Sequence, residues 1–410
     1  MKEKVVLAYS GGLDTTTIIP WLKETFDYDV ICCCIDVGQG EELDGLDERA
    51  KLSGASKLYI EDIVDEFCED YIVPCVQANA VYENKYLLGT SMARPGIAKK
   101  LVEIARKEGA VAICHGATGK GNDQFRFELG IKALAPDIKV IAPWRMTDVW
   151  TIQSRQDEID YCKAHGIDLP FAVDSSYSRD RNLWHVSHEG LELENPALEP
   201  NYKHILMMTV PPEEAPDEPE YVTMTFEKGV PTSVNGKKMK VSDIIRTLNE
   251  LGGKHGIGIV DIVENRVVGM KSRGIYETPG GTILMEAHQQ LEELVLDRAT
   301  AEVKKEMGNK LAQVCYEGKW FTPLREAIQA FVESTQEYVT GEVKFKLYKG
   351  NITKAGTTSP YSLYSESLAS FTTGDLYDHH DADGFITLFG LPLKVRAMKM
   401  AEVAAKNNNK

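Results

Sequence analysis

Basic residues are scarce in this 410-residue chain, which has 46 lysines and arginines against 62 aspartates and glutamates. The formal net charge is −16 at pH 7. Proteins that bind nucleic acids or anionic membranes over a broad surface usually present a basic face. The charge therefore argues against both partners, although a few cations and backbone amides can still form a local site for an anionic substrate.

Long apolar runs are also missing. The apolar stretch Val5–Tyr9 near the start has only five residues, and a Ser-Gly-Gly sequence follows it at once. This stretch is too short for the apolar region of a signal peptide, and no later run reaches the roughly 20 residues that a membrane-spanning helix needs. We therefore expect a cytoplasmic protein without a membrane segment.

Cysteine pairs of the kind that bind zinc or carry redox chemistry are missing as well. The chain has eight cysteines, but none of them forms a CxxC pair. Cys32, Cys33 and Cys34 are adjacent inside an apolar segment, which fits a buried strand better than a disulfide framework. Reduced thiols agree with a cytoplasmic location.

The first 165 or so residues show a regular alternation of strand and helix signals. The predicted strands are residues 5–9, 30–37, 110–115 and 138–143, and a helix is predicted at 99–107. Strands that are apolar on both faces and separated by helices predict a parallel α/β sheet, whose ligands bind at the carboxyl ends of the strands. The first helix is expected to begin near Thr15, with Pro20 in its first turns.

The composition changes after Pro170, and at roughly 150 residues per domain the length predicts two or three domains. The second half is expected to be α+β, with Asn235-Gly236 as a hairpin turn. A strand is predicted at 221–226, and helices are predicted at 241–251, at 287–299 and at the end of the chain. We predict domains over residues 1–170 and 171–365, followed by a tail over 366–410.

A strand, a glycine turn and a helix start follow one another at the beginning of the chain. The turn is Ser10-Gly11-Gly12-Leu13-Asp14-Thr15-Thr16. Two glycines allow the backbone to approach a ligand closely, while free N–H groups and hydroxyls at the helix start form an anion site. The motif is similar to the SGGxD[ST] loop of N-type ATP pyrophosphatases, which cleave ATP between the α and β phosphates. An ordinary strand–helix turn is the alternative.

A second glycine-rich segment, HGATGKGNDQFRFE at residues 115–128, follows another predicted strand. Three glycines occur within six residues, and Thr, Lys, Asn, Asp and Arg side chains lie close by. Gly119-Lys120 is not a Walker sequence, because Cys114 and Gly121 stand where that motif requires a glycine and a hydroxyl residue. A charged surface loop without a function is the alternative.

Several segments along the chain together resemble the argininosuccinate synthase family. They are AYSGGLDTT at 8–16, YLLGTSMARP at 86–95, HGATGKGNDQFRFE at 115–128, HGIGIVDIVENRVVGMKSRGIYETPGG at 255–281 and DADGFI at 381–386. The resemblance implies a parallel-sheet N-type ATP pyrophosphatase domain, an α+β synthetase and multimerisation domain, and a C-terminal helical tail for oligomerisation. It also implies ATP, citrulline and aspartate as substrates.

The resemblance further implies which residues bind each substrate. ATP would contact Ala8, Tyr9, Ser10, Gly11, Gly12, Leu13, Asp14, Thr15, Thr16, Ile35, Cys114, His115, Gly116, Ala117, Thr118, Gly119, Lys120, Gly121 and Asn122. Aspartate would contact Thr118, Asn122 and Asp123. Citrulline would contact Tyr86, Ser91, Asn122, Arg126, Ser178, Ser187, Glu264 and Tyr276. Within the citrulline set, Arg126 with Ser91 suits the carboxylate, and Glu264 with the other hydroxyls suits the ammonium group.

Plain structural roles are open for many of these residues. Tyr86 and Tyr276 could be core aromatics with a satisfied hydroxyl, and Ser178 and Ser187 could be turn or cap residues. Glu264 could belong to a surface ion pair, which would stabilise little. The sequence from Asp378 to Asp383 mimics a metal cluster, but its adjacent ligands favour a solvated turn.

Asp123 and Asp14 are the predicted catalytic carboxylates. Mg²⁺ is expected with the ATP phosphates, bound mostly through them and water, and no protein ligand is assigned to it. The aspartate amine has to lose a proton, and either Asp123 or the substrate itself could accept it. Positioning and electrostatics are expected to supply most of the catalysis.

The resemblance implies a homotetramer. The apolar residues of the C-terminal helix could pack on a neighbouring subunit, or they could cap their own domain. Other functions for a chain with this loop are tRNA thiolation, GMP synthesis and nucleotide binding without catalysis. A thiolase would need accessible cysteines and a basic surface, and a GMP synthetase would carry a glutaminase Cys/His set that is not found in this sequence.

Overall fold

The computed structural model describes residues 2–167, 177–370 and 378–408. The chain divides into two compact units, Met1–Tyr361 and Ser362–Lys410. The predicted boundary between residues 170 and 171 lies outside the described residues, so the three-domain division remains a prediction. No helix in the described ranges is long and apolar enough to cross a membrane.

The first part of the larger unit is a parallel sheet with interleaved helices. Its elements are β1 (Lys4–Ala8), α1 (Leu13–Phe26), β2 (Asp29–Asp36), α2 (Leu46–Leu52), β3 (Lys57–Asp62), α3 (Val64–Phe67), α4 (Val73–Gln77), α5 (Gly89–Glu108), β4 (Ala112–Cys114), α6 (Asp123–Leu134), β5 (Lys139–Ile141) and α7 (Arg155–Ala164). The strand order is β3-β2-β1-β4-β5, and every neighbouring pair is parallel. The predicted α/β sheet is therefore confirmed.

Both faces of the central strands are buried. Successive residues such as Val5 and Val6, or Cys32 and Cys33, pack into different hydrophobic clusters. One cluster contains residues of α1 and the other contains residues of α5, because side chains alternate between the faces of a sheet. Since β1 lies between β2 and β4, the strand order reverses there, and a crevice for a ligand opens at the carboxyl ends of these strands.

The first helix begins earlier than its sequence predicted. It starts at Leu13 rather than near Thr15, because Gly12 adopts the extended backbone of an N-cap residue (φ −74°, ψ 172°). Pro20 is therefore the eighth residue of the helix and does not lie in its first turn. The missing N–H of Pro20 costs one backbone hydrogen bond in the helix interior.

Two antiparallel sheets and four longer helices complete the larger unit. The elements are β6 (Ser178–Arg181), β7 (Val186–Glu189), α8 (Tyr202–Ile205), β8 (Glu220–Glu227), β9 (Val230–Val234), β10 (Lys237–Lys238), α9 (Val241–Lys254), β11 (Ile259–Asn265), β12 (Lys271–Glu277), α10 (Pro279–Val295), α11 (Arg298–Tyr316), α12 (Pro323–Thr335), β13 (Gly341–Tyr348) and β14 (Asn351–Thr358). The sheet orders are β10-β9-β8-β13-β14 and β11-β12-β7-β6.

Of the turns and helices predicted in this half, some are confirmed and one is wrong. Asn235 and Gly236 join β9 to β10 with φ angles of 49° and 75°, as a two-residue hairpin turn requires. The helix predicted at 287–299 was wrong, because it spans the end of α10 and the start of α11. The chain breaks there since Asp297 caps α11, its side chain accepting hydrogen bonds from the N–H groups of Ala299 and Thr300.

The smaller unit, Ser362–Lys410, contains α13 (Glu366–Ala369), α14 (Asp381–Phe389) and α15 (Leu391–Asn408). The predicted C-terminal helix is therefore confirmed. Large apolar side chains of α14 and α15 are exposed, including Phe389 at 76% and Leu393 at 73%. His380 and Asp383 are exposed, but the solvated turn predicted from Asp378 to Asp383 is only partly right, because α14 begins at Asp381.

Candidate active site

A cavity of about 830 Å³ opens at the carboxyl ends of β1, β2 and β4. Ala8 and Ile35 line it from the parallel sheet, and Ser187 and Tyr276 line it from β7 and β12 of an antiparallel sheet. This volume is typical of a site for small molecules. The cavity lies where the strand order of the parallel sheet reverses.

Most of the predicted substrate residues line this cavity. They are Ala8, Tyr9, Ser10, Gly11, Gly12, Leu13, Asp14, Thr15, Ile35, Tyr86, His115, Gly116, Ala117, Thr118, Gly121, Asn122, Asp123, Arg126, Ser178, Ser187, Glu264 and Tyr276. The predicted residues that do not line it are Thr16, Ser91, Cys114, Gly119 and Lys120. The side chains of Thr16, Ser91 and Cys114 are fully buried behind its wall, whereas Gly119 and Lys120 are exposed.

The glycine turn after β1 has a shape that only glycine permits. Gly11 has a φ of +77°, and a Cβ atom there would lie 2.2 Å from a methyl carbon of Leu46. Arg49 Nη1 donates a hydrogen bond to the Gly11 carbonyl at 3.0 Å, so α2 packs directly over the turn. No side chain caps the N-terminus of α1 at Gly12, which leaves backbone N–H groups available for an anion.

Asp14 lies beside a buried carboxyl group that the sequence did not indicate. Glu158 of α7 is 2% exposed and shares a hydrogen bond with Asp14. Burial, together with the charge of Asp14, raises the pKa of Glu158 to about 8. At neutral pH the Glu158 carboxyl therefore retains its proton.

Asp123, the first residue of α6, is held by two arginines. Arg94 donates from Nε and Nη2 to Asp123 Oδ2, at 3.0 and 2.7 Å, and Arg126 donates from Nη1 to Asp123 Oδ1 at 3.0 Å. Burial raises the pKa of the Asp123 carboxyl, but the charges of the two arginines outweigh it, and the pKa lies below its usual value. Asp123 is thus an ionised carboxylate.

Arg126 retains one donor that no protein group uses. Its Nε donates to the Tyr316 carbonyl at 2.9 Å, and its guanidinium lies 4.8 Å from the centre of the Tyr316 ring. Its Nη2 is buried and has no hydrogen-bond partner in the described ranges. A buried cation with an unused donor is suited to a ligand carboxylate.

Glu264 is a buried acceptor rather than a member of a surface ion pair. Its residue is 4% exposed, and its carboxylate accepts hydrogen bonds from the hydroxyl groups of Tyr276 and Tyr316. Burial and the negative charge of Glu264 raise the pKa of both tyrosines. Both hydroxyls therefore stay protonated and hold the carboxylate in place.

Asn122 connects the second glycine-rich segment to the antiparallel part of the molecule. Its Oδ1 accepts from the N–H of Val267 at 3.1 Å, and its Nδ2 donates to the Tyr316 hydroxyl at 2.8 Å. Arg266 adds a hydrogen bond to the Lys120 carbonyl at 3.1 Å. The turn between β11 and β12 therefore closes over the segment that carries Asn122.

Tyr86, Ser187 and Ser178 complete the predicted citrulline residues that line the cavity. The Tyr86 hydroxyl accepts from the N–H of Thr90 at 3.0 Å, and its ring lies 4.5 Å from that of Tyr276, between centroids. Ser187 pairs with Tyr276 in one neighbouring strand and with Asp180 in the other. Ser178, at the start of β6, is exposed and lines the cavity.

Many charged residues of the cavity were missed from the sequence. They are Glu42, Arg49, Arg94, Arg155, Arg179, Asp180, Arg181, Glu189 and Arg266. With the predicted residues they bring seven arginines and six carboxylates to the cavity of a chain whose net charge is −16. Arg94 and Arg266 fall inside two of the family segments, which is the signal that could have found them.

The chain is similar to known proteins along most of its length. The model of the "Arginosuccinate synthase N-terminal HUP domain" matches residues 4–168, and that of the "Arginosuccinate synthase C-terminal domain" matches residues 177–396. The argininosuccinate synthase of Agathobacter rectalis is 88% identical over 409 residues, and that of Lachnospira eligens is 80% identical over 408, with 100% of each chain covered in both cases. The argininosuccinate synthase of Lachnoclostridium phytofermentans is 78% identical over 98% of this chain and 99% of its own. This chain therefore belongs to the argininosuccinate synthase family.

Proposed function

We propose that this chain is an ATP-dependent carbon–nitrogen ligase of arginine biosynthesis. It joins citrulline to aspartate and releases argininosuccinate, AMP and pyrophosphate. The observation that carries the proposal is that one cavity combines a glycine turn at a helix N-terminus with buried charged groups suited to amino acids. The names of the relatives support the same reaction.

The first step activates citrulline. Its ureido carbon is a poor electrophile, because nitrogen lone pairs delocalise into it. The ureido oxygen attacks the α-phosphorus of ATP, the bond to the β-phosphate oxygen breaks, and pyrophosphate leaves. The glycine turn and the free N–H groups of α1 are suited to hold the departing phosphates.

Citrulline is held by its carboxylate and ammonium groups. We assign the carboxylate to Arg126, whose Nη2 is buried and has no hydrogen-bond partner among the described residues. We assign the ammonium group to Glu264, which the hydroxyls of Tyr276 and Tyr316 hold in place. Holding both groups of the α-carbon leaves the side chain, with its ureido group, to be directed at the nucleotide.

The second step uses Asp123 as the anchor for the aspartate amine. That amine attacks the activated carbon, the carbon–oxygen bond breaks, and AMP leaves. A carboxyl whose pKa lies below its usual value is a poor base at neutral pH. This argues for the substrate itself, through the phosphate oxygens of the adenylate, as the acceptor of the amine proton.

Mg²⁺ is expected to neutralise charge on the phosphates. In residues 2–167, 177–370 and 378–408, no group of three or more His, Cys, Asp or Glu side chains is arranged to hold a metal. We therefore expect the ion to be bound mainly through phosphate oxygens and water. Asp14, which lines the cavity next to the glycine turn, is the carboxylate of this loop that could contact it.

Sulfur transfer is the competing chemistry, and the cysteines argue against it. All eight are buried and free. Cys33 and Cys34 line the cavity, but burial raises the pKa of each thiol to about 12. A thiolase needs an accessible thiolate, and these side chains do not provide one.

Exchange of labelled pyrophosphate into ATP tests the proposal. With ATP and citrulline alone, we expect exchange, because adenylation does not need aspartate. With both amino acids, we expect stoichiometric AMP and argininosuccinate. Absence of turnover with this pair, together with turnover on tRNA or xanthylate, would overturn the assignment.

We also propose that the enzyme works in the cytoplasm as a homotetramer. Its buried, free thiols agree with a reducing compartment. The exposed apolar side chains of α14 and α15 supply a surface for association with other copies of the chain.

A further inference from the structure

We propose that Arg94 is a positioning residue that aligns the aspartate site with the strands carrying the citrulline serines. This inference rests on the proposed function. Arg94 belongs to none of the substrate sets that the family resemblance implies. It lies in the second turn of α5, is 9% exposed and lines the cavity.

The Arg94 side chain connects two carboxylates from different parts of the fold. Its Nε and Nη2 both donate to Asp123 Oδ2, and Nη2 also donates to Asp180 Oδ1 at 2.9 Å. Asp123 begins α6 of the parallel-sheet part, whereas Asp180 lies in β6 of an antiparallel sheet. One guanidinium thus sets the distance between these two elements.

The Asp180 end of this link reaches the proposed citrulline site through the backbone. The N–H of Asp180 donates to Ser187 Oγ at 3.3 Å, and Asp180 pairs with Ser187 across β6 and β7. Ser178 lies two residues earlier in the same strand. A shift of Asp180 would therefore move both serines.

The Asp123 end leaves room for one more donor. An ionised carboxylate has about four lone-pair positions. Arg94 occupies two of them and Arg126 occupies one, so one position is left for a substrate ammonium group. Arg94 thereby fixes the direction from which the amine binds.

The start of α5 is built so that Arg94 has little freedom to move. Gly89 is so close to the β6–β7 hairpin that a Cβ atom there would lie 2.2 Å from the His185 ring. The Arg94 guanidinium also lies 5.5 Å from the centre of the Phe127 ring. A planar fork with separate donors can bridge two carboxylates in this way, whereas a lysine is a single point charge.

The charges around Asp123 predict how its titration depends on Arg94. The charged groups that face it are Arg94, Arg126, Asp180 and the more distant Glu189. Removal of Arg94 leaves Arg126 as the one cation beside Asp123, together with the acids Asp180 and Glu189. The pKa of Asp123 must then rise, and binding of the aspartate amine is lost at a higher pH than in the unmodified enzyme.

The test compares Arg94→Met and Arg94→Lys with Arg106→Met. Arg106 lies in the same helix and forms an exposed ion pair with Asp137, so its loss controls for the helix itself. We expect Arg94→Met to lower kcat/KM for aspartate about 100-fold and citrulline-dependent pyrophosphate exchange by no more than about tenfold, because the serines shift with Asp180 while Arg126 and Glu264 still hold citrulline. The acid limb of the aspartate profile should move to higher pH. Arg94→Lys should restore the position of that limb but only part of the rate.

The link to Asp180 is tested by a double-mutant cycle. We expect Asp180→Asn to add little to the aspartate defect of Arg94→Met, because both changes break the same bridge. Two results for Arg94→Met would each overturn the positioning role: equal losses of pyrophosphate exchange and of aspartate turnover, or an acid limb that does not move. Fully additive defects of Arg94→Met and Asp180→Asn would overturn it as well. Failure of the unmodified enzyme to ligate the two amino acids would instead contradict the proposed function. If Arg94→Met does not fold, the rates of Arg94→Lys decide the question: a larger loss of kcat/KM for aspartate than of pyrophosphate exchange supports the positioning role, and equal or absent losses overturn it.

Discussion

The carboxylate of Asp123 has two arginine partners, and this decides what it can do chemically. Its three hydrogen bonds from Arg94 and Arg126 stabilise the ionised form. An ionised, partly buried carboxylate binds an ammonium group well and accepts a proton poorly at neutral pH. We therefore propose that Asp123, which the sequence predicts to be catalytic, serves as the anchor of the amine.

Replacement of Asp123 by asparagine should separate the two chemical steps. The amide keeps the size of the side chain but loses the charge that holds the aspartate amine. We expect kcat/KM for aspartate to fall by about 100-fold or more, with citrulline-dependent pyrophosphate exchange largely kept. The exchange rate and the rate of argininosuccinate formation, measured on the same preparation, check this. An equal loss of both rates would show that Asp123 also serves adenylation.

Glu158 makes a prediction about stability and pH. Its pKa is raised from 4.5 to about 8, so between these values the folded chain holds a proton that the unfolded chain releases. The contribution to stability is therefore full below pH 4.5 and is lost as the pH rises through about 8. The slope is at most about 1.4 kcal/mol per pH unit.

Glu158→Gln should remove this pH dependence, because the amide mimics the protonated acid. We expect the variant to gain stability relative to the unmodified chain as the pH rises from 5 towards 8, by up to about 3 kcal/mol at the upper end. Chemical unfolding at a series of pH values measures it. Parallel stability curves for the two proteins would mean that Glu158 does not hold a proton in the folded state. Glu250→Gln, at an exposed position of α9, provides the comparison.

Local motifs identified some site residues and could not identify others. The glycine turn and the segment around Asp123 are contiguous in the sequence, so their chemistry can be recognised directly. Arg94 and Asp123 are 29 residues apart, and Arg126 contacts a carbonyl 190 residues away. Such pairs are brought together by tertiary packing, and no period or propensity in the sequence encodes them.

At the scale of elements, the parallel sheet was predictable because its central strands are buried on both faces. The two errors occurred where a short-range feature overrode the apolar pattern. Because Gly12 acts as the N-cap, α1 starts at Leu13, before the predicted Thr15. The Asp297 cap divides a continuous apolar pattern into α10 and α11. The antiparallel order β11-β12-β7-β6 could not be predicted, since it joins two hairpins, β6–β7 and β11–β12, that are far apart along the chain.

One buried carboxylate holds β12 in the position that the site requires. Glu277, the last residue of β12, is fully buried and accepts hydrogen bonds at 2.7–2.8 Å from the N–H groups of Met207, Met208 and Thr209. His188 Nε2 lies 2.7 Å from the same carboxylate. Tyr276, the partner of Glu264, is the preceding residue of the strand. By fixing the end of β12, Glu277 therefore also helps to fix the position of Tyr276 in the site.

Glu277→Gln should destabilise the fold, because an amide N–H group would face donors in a dry environment. We expect a loss of about 2–4 kcal/mol, seen as a lower melting temperature and a lower denaturant midpoint. Glu293→Gln is the matched control, because Glu293 forms an exposed ion pair with Lys354, and its loss should cost less than about 1 kcal/mol. Similar effects of the two changes would contradict the role assigned to Glu277.

At the scale of the whole molecule, the charge of the chain and the charge of its cavity differ. The net charge of −16 keeps broad polyanions away, while seven arginines gather at a cavity for anionic substrates. Burial of every cysteine removes thiol chemistry from the same cavity. This contrast between chain and cavity agrees with the proposed small anionic substrates.

The exposed apolar side chains of the smaller unit make the last prediction. Phe385, Phe389, Leu393 and Met398 are each at least 59% exposed, and an isolated chain would gain nothing from keeping so many in water. We expect light scattering to give a mass near four times the 45.6 kDa chain for the unmodified protein. Phe389→Asp with Leu393→Asp should lower that mass, because burial of a charge at the contact is costly.

The control for this experiment is Val303→Asp, which places a charge on an exposed apolar position of α11 in the larger unit. It should leave the mass unchanged if association depends on the C-terminal helices. A tetramer that survives the double change would show that these helices do not hold the subunits together. A monomeric unmodified protein would show that the exposed side chains are covered by something other than a further copy of the chain, and would overturn the proposed oligomer itself.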